Sequence, residues 1–316
     1  FQNRFGVEVR VGQEVIQINR TQKTVVVKQL QTGKVYEESY EKLVLSPGAE
    51  PINPFQNLKT DKVRTLRSVD DAVSIKDFLE KQRPKKVAII GGGYIGVEMA
   101  ENLSKYEKME IAILEKANHL IAPLDEDMAN IIHKNLQKHG VKLYLNCGVE
   151  AIEESKNSEK LKLTLENNQI LEADFVILSI GVKPETTLAK QCGLTVNQKG
   201  SILVNEWMQT SDPDIYALGD AVQVTNYVTK LPAYIPLAGP ANKQARVVAN
   251  HICNITSQNT SYQGTVGSSI LKIYEYTLGM TGINEATCKV YQLPYRVIIL
   301  SPYSHATYYP GATLLT

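Results

Sequence analysis

Six consecutive residues, Gly91-Gly92-Gly93-Tyr94-Ile95-Gly96, carry the most specific chemistry in the chain. They follow the apolar run Val87-Ala88-Ile89-Ile90 and precede an apolar-periodic stretch, which predicts a strand, a glycine turn and a helix over 95–104. A second apolar run from Glu110 ends in Glu115, at the distance downstream expected of a ribose-binding acid. Gly91 permits the tight turn, Gly93 lets backbone approach a pyrophosphate, and Gly96 lets helix and strand pack closely. The helix start at Tyr94 and Ile95 would offer free N–H groups and a positive dipole end to phosphate. Glu115 would accept from ribose hydroxyls and repel a 2′-phosphate, which favours NAD(H) over NADP(H). The adjacent cation Lys116 weighs the other way. The competing explanation is a glycine turn in an ordinary α/β fold, and the strand, helix and acid together argue against it.

A second group lies downstream. The stretch 210–221 reads as a short strand ending in Gly219 and Asp220, where glycine admits close approach and the carboxylate could accept from a polyol. A strand end with a solvated carboxylate fits the same residues. Leu237-Ala238-Gly239-Pro240 then leads into a helix predicted over 240–255, with its positive end aimed at whatever Asp220 holds. His305 invites a proton-transfer role as readily as a structural one. His133 and His139 are six apart on one predicted helix, so they do not share a face and no metal site is expected. Cys147, Cys192, Cys253 and Cys288 show no CxxC spacing and no obvious activating histidine, and read as structural thiols.

The elements that must position these groups follow from periodicity. Residues 7–49 read as all-β, with strands over 7–11, 15–18, 24–28 and 40–46 and a hard stop at Ser46-Pro47-Gly48. A helix over 67–82 is capped by Ser68 and supplied with an apolar face by Val69, Val73, Ile75, Phe78 and Leu79. Another over 125–139 stops at Gly140. Short strands and a hairpin are expected over 141–173, a buried strand over 175–180, a polar stretch over 254–261 and β character over 264–300. The alternation predicts an α/β fold built from nucleotide-binding domains.

With 316 residues, the chain has room for two or more domains. Its 34 basic and 33 acidic side chains leave a net charge of +1, which argues against nucleic acid or an anionic membrane as the main partner. No apolar run is long enough to cross a bilayer, and the cysteine usage suits a reduced, cytoplasmic setting. Phe1 and Thr316 do not resemble natural termini, so a piece of a longer protein is expected.

Taken in order, Ser46-Pro47-Gly48-Ala49, the 91–98 stretch ending in Glu98, Ser179-Ile180-Gly181 with Pro184, and 210–221 resemble the FAD-dependent pyridine nucleotide-disulfide oxidoreductases. Pro236–Gln244 and Ser304–Ala312 narrow the resemblance to the coenzyme A-disulfide reductase and NADH oxidase branch, over nearly the whole chain. The resemblance implies two Rossmann-like domains: FAD-binding parts over 1–67 and 183–262, an NAD(P)-binding domain over 68–182, and the start of an α+β dimerisation domain over 263–316. It implies that Gly48, Gly219, Asp220, Leu237 and Ala238 serve FAD, and that Gly91, Gly93, Tyr94, Ile95, Gly96, Glu115 and Gly181 serve the nucleotides. Tyr94 would gate the nicotinamide pocket, and Glu98 would lie near the flavin, paired with a lysine. Tyr308 and Tyr309 would reach towards a disulfide substrate in a homodimer, or serve as interface core. The family's N-terminal FAD unit and redox cysteine have no counterpart after Phe1. The implied reaction passes electrons from NAD(P)H through FAD to a disulfide such as coenzyme A disulfide or a persulfide. The alternatives are a water-forming NADH oxidase and a catalytically silent nucleotide-binding module.

Overall fold

Three of the apolar runs, flanked by two three-residue strands, assemble into a five-stranded parallel sheet ordered Val63–Thr65, Phe175–Leu178, Lys86–Ile90, Glu110–Leu114, Lys142–Tyr144. It belongs to a computed structural model that describes residues 2–155, 159–255 and 261–315. The chain forms two compact units, one of residues up to Glu50 with Val182–Ser268, the other of Pro51–Gly181 with the stretch from Ser269 onward. The α/β class expected from the motifs is the class observed.

In the unit that holds the parallel sheet, alternation along each strand divides the core between two faces. Val87, Ile89, Ile111, Ile113, Phe175 and Ile177 face the helices Val69–Gln82, Tyr94–Leu103 and Glu126–Lys138. Ala88, Ile90, Leu114, Val176 and Leu178 face an antiparallel meander of Val149–Glu154, Leu161–Leu165 and Ile170–Ala173. The ring of Phe78 stacks on that of Phe175 with centroids 4.6 Å apart. Each such buried side chain contributes about 1.5–3 kcal/mol, so this sheet is the rigid platform of the unit.

The Val69–Gln82 helix starts with a capping box: Ser68 Oγ accepts from the Asp71 N–H, and the Asp71 carboxylate accepts from the Ser68 N–H. These bonds hold the Asp71 carboxyl below its ordinary range. Ser68→Ala should therefore lower stability by about 1 kcal/mol in a denaturant titration, and an unchanged midpoint would remove the cap from the account. Of the apolar face expected for this helix, Ile75, Phe78 and Leu79 are buried, whereas Val69 and Val73 face solvent. Their positions on the helical wheel lie outside the stripe that meets the sheet.

The Glu126–Lys138 helix begins after Asp125 and ends before Gly140, which takes the left-handed φ of +82°. Asp125 does not cap its own helix. Its carboxylate instead accepts from the Glu285 and Ala286 N–H groups at 3.0 and 3.3 Å, at the start of the Glu285–Val290 helix. The Ser269–Ile273 and Tyr276–Met280 strands form a hairpin in this same unit. It is tied to the glycine-loop helix by the Glu101 carboxylate, which accepts from the Tyr274 N–H at 3.0 Å.

In the other unit, Gln13–Asn19, Thr24–Gln29 and Val35–Ser39 form an antiparallel meander, and Leu43–Leu45 pairs in parallel with Ile215–Ala217. Ile18, Val25, Leu45, Ile202, Ile215 and Val248 of the Ala238–Ile252 helix share its core.

Three expectations need correction. Residues 7–11 form no strand; their valines are exposed, and the meander of 13–39 forms without them. The helix expected over 240–255 runs from Ala238 to Ile252 and stops at Cys253 and Asn254, the latter with a left-handed φ of +53°. The β character expected over 264–300 is confined to the 269–280 hairpin. It gives way to the Glu285–Val290 helix and then to irregular backbone with Ile298 80% exposed. The polar stretch over 254–261 lies partly outside the described residues.

Candidate nucleotide-binding site

The glycine turn lies where the parallel sheet reverses its winding, between the strands 86–90 and 175–178, the position at which open α/β sheets hold nucleotides. Gly91 adopts φ +103°, and a Cβ there would stand 2.4 Å from the Ser179 carbonyl oxygen. A Cβ on Gly96 would stand 2.0 Å from the Gly91 carbonyl oxygen and 2.8 Å from Ser179 Oγ. Both glycines are thus required by the protein's own packing. Gly93 differs: its φ of −76° suits any residue, and a Cβ would meet nothing within 4 Å. Its place before the helix suits glycine as a cap, no packing contact requires it, and the open space leaves the backbone accessible to a phosphate.

Both oxygens of Glu115 are engaged with the loop. Oε2 accepts from the Gly92 N–H at 2.6 Å and Oε1 from the Ala117 N–H at 2.8 Å. The acid therefore shapes the turn, and its remaining lone pairs stay available to hydroxyl donors. Lys116 turns to Glu166, with Nζ to Oε1 at 2.7 Å, and each partner's pKa moves toward its charged form through that contact. The cation that weighed toward a 2′-phosphate is committed elsewhere. Ser179 is a participant that the spacing analysis did not single out: its hydroxyl donates to the Gly91 oxygen at 2.8 Å and lies 3.1 Å from that of Ile90, pinning the turn to the neighbouring strand. Its place at the end of an apolar strand beside Gly181 was the available signal.

Tyr94 sits in the first turn of the Tyr94–Leu103 helix, its hydroxyl 2.7 Å from Ser269 Oγ and 3.2 Å from Met280 Sδ. Ile95 is 38% exposed on the same turn. Glu98 lies on the exposed side of that helix, and among the described residues no ion pair joins it to a lysine. Gly181 takes φ +105°, with its carbonyl accepting from the Ile52 N–H at 3.0 Å.

The other unit holds the second group. Gly219 takes φ +76°, and its N–H donates at 2.8 Å to Oε1 of Gln244, a side chain 1% exposed. This bond holds the short Gly219–Ala221 turn, with half-buried Asp220, against the Ala238–Ile252 helix. That helix starts at Leu237 without a side-chain cap, so the Ala238 and Gly239 N–H groups have no capping partner from it. A Cβ on Gly239 would meet nothing within 4 Å, as at Gly93. Gly48 takes φ +78°, with its carbonyl accepting from the Glu185 N–H. Both units thus contain a helix start with a glycine that its own packing does not require, which fits dinucleotide cofactors with extended diphosphates.

Tyr308 is 88% exposed, and Tyr309 stacks on His305 with ring centroids 5.1 Å apart. All four cysteines are free. Cys147 and Cys288 are buried, and burial pushes the Cys192 thiol up, away from a reactive thiolate.

Comparison with known proteins agrees with this arrangement. The pyridine nucleotide-disulphide oxidoreductase family matches residues 2–245, and the chain belongs to that family. Coenzyme A disulfide reductase of Staphylococcus haemolyticus is 31% identical over 314 residues, spanning 99% of this chain and 68% of that protein. The structure of reduced Bacillus anthracis CoADR-RHD superposes with a TM-score of 0.93 and 41% identity, over 99% of this chain and 55% of that one. An NAD-dependent persulfide reductase from A. fulgidus gives 0.90 and 32%, over 99% of this chain and 57% of that one. The chain therefore spans little more than half the length of these two solved relatives. No helix among the described residues is long and apolar enough to cross a membrane.

Proposed function

We propose that this chain is the nucleotide-binding portion of an NAD(P)H-dependent flavin oxidoreductase that delivers electrons to a small disulfide such as coenzyme A disulfide or a persulfide. The observation that carries the reading is the open space beside Gly93, in a loop whose other contacts are closely packed. In this reading residues 68–182 bind NAD(P)H, with NADH favoured by Glu115 and by the commitment of Lys116. Residues 1–67 and 183–262 bind FAD, and 263–316 contribute to a homodimer interface in a cytoplasmic enzyme. Bound FAD supplies the group that accepts a hydride from NADH and passes electrons on.

The chain's own residues hold and orient. Gly91, Gly93, Ile95 and Gly96 bring backbone to the NADH diphosphate, Glu115 takes its ribose, and Gly181 lines the turn beside it. Tyr94 covers the nicotinamide side, its hydroxyl steered by Ser269. Asp220 accepts from the ribityl hydroxyls, Gly219 and Gly48 allow the close approach, and Leu237 and Ala238 present the helix start to the ring. Glu98 lies towards the flavin, while Tyr308 and Tyr309 meet the disulfide substrate. A water-forming NADH oxidase is the second reading: one from Lactobacillus brevis is 30% identical with a TM-score of 0.84, over 95% of this chain.

The test uses the full-length enzyme. It should purify yellow, lose flavin absorbance on anaerobic addition of NADH, and regain it on addition of coenzyme A disulfide. Recovery only on admitting oxygen would favour the oxidase, and a colourless protein that takes up no FAD would overturn both. Asp220→Ala should retain at least about tenfold less flavin at equal FAD concentration, the scale of lost hydrogen bonds to a charged group.

A further inference from the structure

The His133 imidazole is buried on the inner face of the Glu126–Lys138 helix, where the reading above gives it no part. Its Nε2 lies 3.1 Å from the Leu120 backbone N–H. A backbone N–H can only donate, so Nε2 accepts and the ring proton sits on Nδ1, 3.2 Å from Asn130 Oδ1. The next residue, Ile121, is fully buried with φ +55°, a left-handed conformation that a β-branched side chain strongly disfavours. Its N–H donates at 2.8 Å to the Gly92 carbonyl, and Leu120 Cδ2 fills the space over Gly92, 2.2 Å from where a Cβ would stand. The strained turn is thus clamped at two adjacent amides, one by the glycine loop and one by His133.

We infer that His133 is a positioning residue for NADH binding: as a neutral imidazole it locks the Leu120–Ile121 turn onto Gly92 and so fixes the phosphate-binding loop. Protonation would set an N–H against the Leu120 N–H, removing the acceptor and freeing the strained turn to relax away from Gly92. The ionisable groups acting on the ring are His119, whose Nδ1 lies 2.9 Å from the Leu120 oxygen, and Glu126 in the first turn of the same helix. His119 and burial disfavour the imidazolium while Glu126 favours it, and burial is the largest influence, so the ring titrates below its ordinary 6.5. The sign follows. Because the bound state needs the neutral ring, affinity for NADH is full above the ordinary histidine range and falls as pH drops through the lowered value. The inference rests on residues 91–96 binding NADH.

Two measurements on the full-length flavin-loaded enzyme test it. The NADH dissociation constant should rise as the pH is lowered from 7.5 through the ring's depressed titration, towards a limit of about tenfold, the scale of one lost buried hydrogen bond. Amide hydrogen exchange across 117–124, corrected for intrinsic rates, should lose protection over the same interval without any ligand present. His133→Gln, which keeps an acceptor but cannot gain a proton, should hold both quantities flat, while His133→Leu should show the weak affinity already at pH 7.5. Wild type and His133→Gln with the same pH profile, or exchange at 117–124 indifferent to pH, would overturn the inference. Absence of NADH binding at every pH would instead overturn the site reading, and the exchange measurement would still decide the role of His133 in the turn.

Discussion

Gly93→Ala is expected to lower kcat/KM for NADH on the order of a hundredfold while costing stability no more than about 1 kcal/mol. The new methyl would touch nothing in the protein, and the backbone at 93 is already in an ordinary region, so neither packing nor backbone strain opposes it. The remaining cost is that of the N-cap, where alanine is less favourable than glycine by about 0.5–1 kcal/mol. The methyl would instead occupy the space through which a diphosphate reaches the loop's N–H groups. Gly96→Ala should behave in the opposite order. Its methyl would overlap the Gly91 carbonyl and the Ser179 hydroxyl, backbone and short side chain that cannot swing aside, so stability should fall by about 1–3 kcal/mol. Calorimetric unfolding of the two variants beside wild type, with NADH titrations on each, separates a ligand glycine from a packing glycine. If Gly93→Ala bound NADH normally, the phosphate would have to lie elsewhere.

Glu115→Ala should be the second large effect, and it should discriminate between coenzymes. The substitution removes the ribose acceptor and leaves the Gly92 and Ala117 N–H groups without their partner, so NADH affinity should fall at least about tenfold. NADPH affinity should fall less, because the same change removes a charge that repels the 2′-phosphate. Dissociation constants for both coenzymes decide the matter, and equal loss for both would confine Glu115 to shaping the loop.

Much of this site was legible in the sequence because its signals are local. A strand, a glycine turn and a helix follow one another within 86–103, and each is dictated by neighbours a few residues away. The same holds for the box at Ser68 and the stop at Gly140. What escaped is carried by contacts between distant segments. Ser179 reaches Gly91 across 88 residues, Gln244 reaches Gly219 across 25, and His133 reaches Leu120 across a turn whose strain has no sequence signature. The strand expected over 7–11 failed for the complementary reason: alternation marks a segment able to pair, but whether it adds to a sheet edge is decided by tertiary contacts that alternation does not show. The lysine expected beside Glu98 is likewise a tertiary matter that helical position alone does not decide.

The way the 269–290 segment is fastened bears on the order in which the polypeptide condenses. Tyr274 is held by Glu101 over a separation of 173 residues and Glu285 by Asp125 over 160, while the Asn284 side chain donates to the Leu124 carbonyl. One of these anchors lies on a helix and two at the approach to another, all within residues 51–181 of the sheet-bearing unit, and none is in place until that part has formed. Closing so long a loop is unrewarded until both ends are structured, so the segment should dock late, onto a finished surface. Substitutions at Asp125 or Glu101 should accordingly speed unfolding while leaving the folding rate almost unaltered, the kinetic mark of contacts made after the rate-limiting barrier.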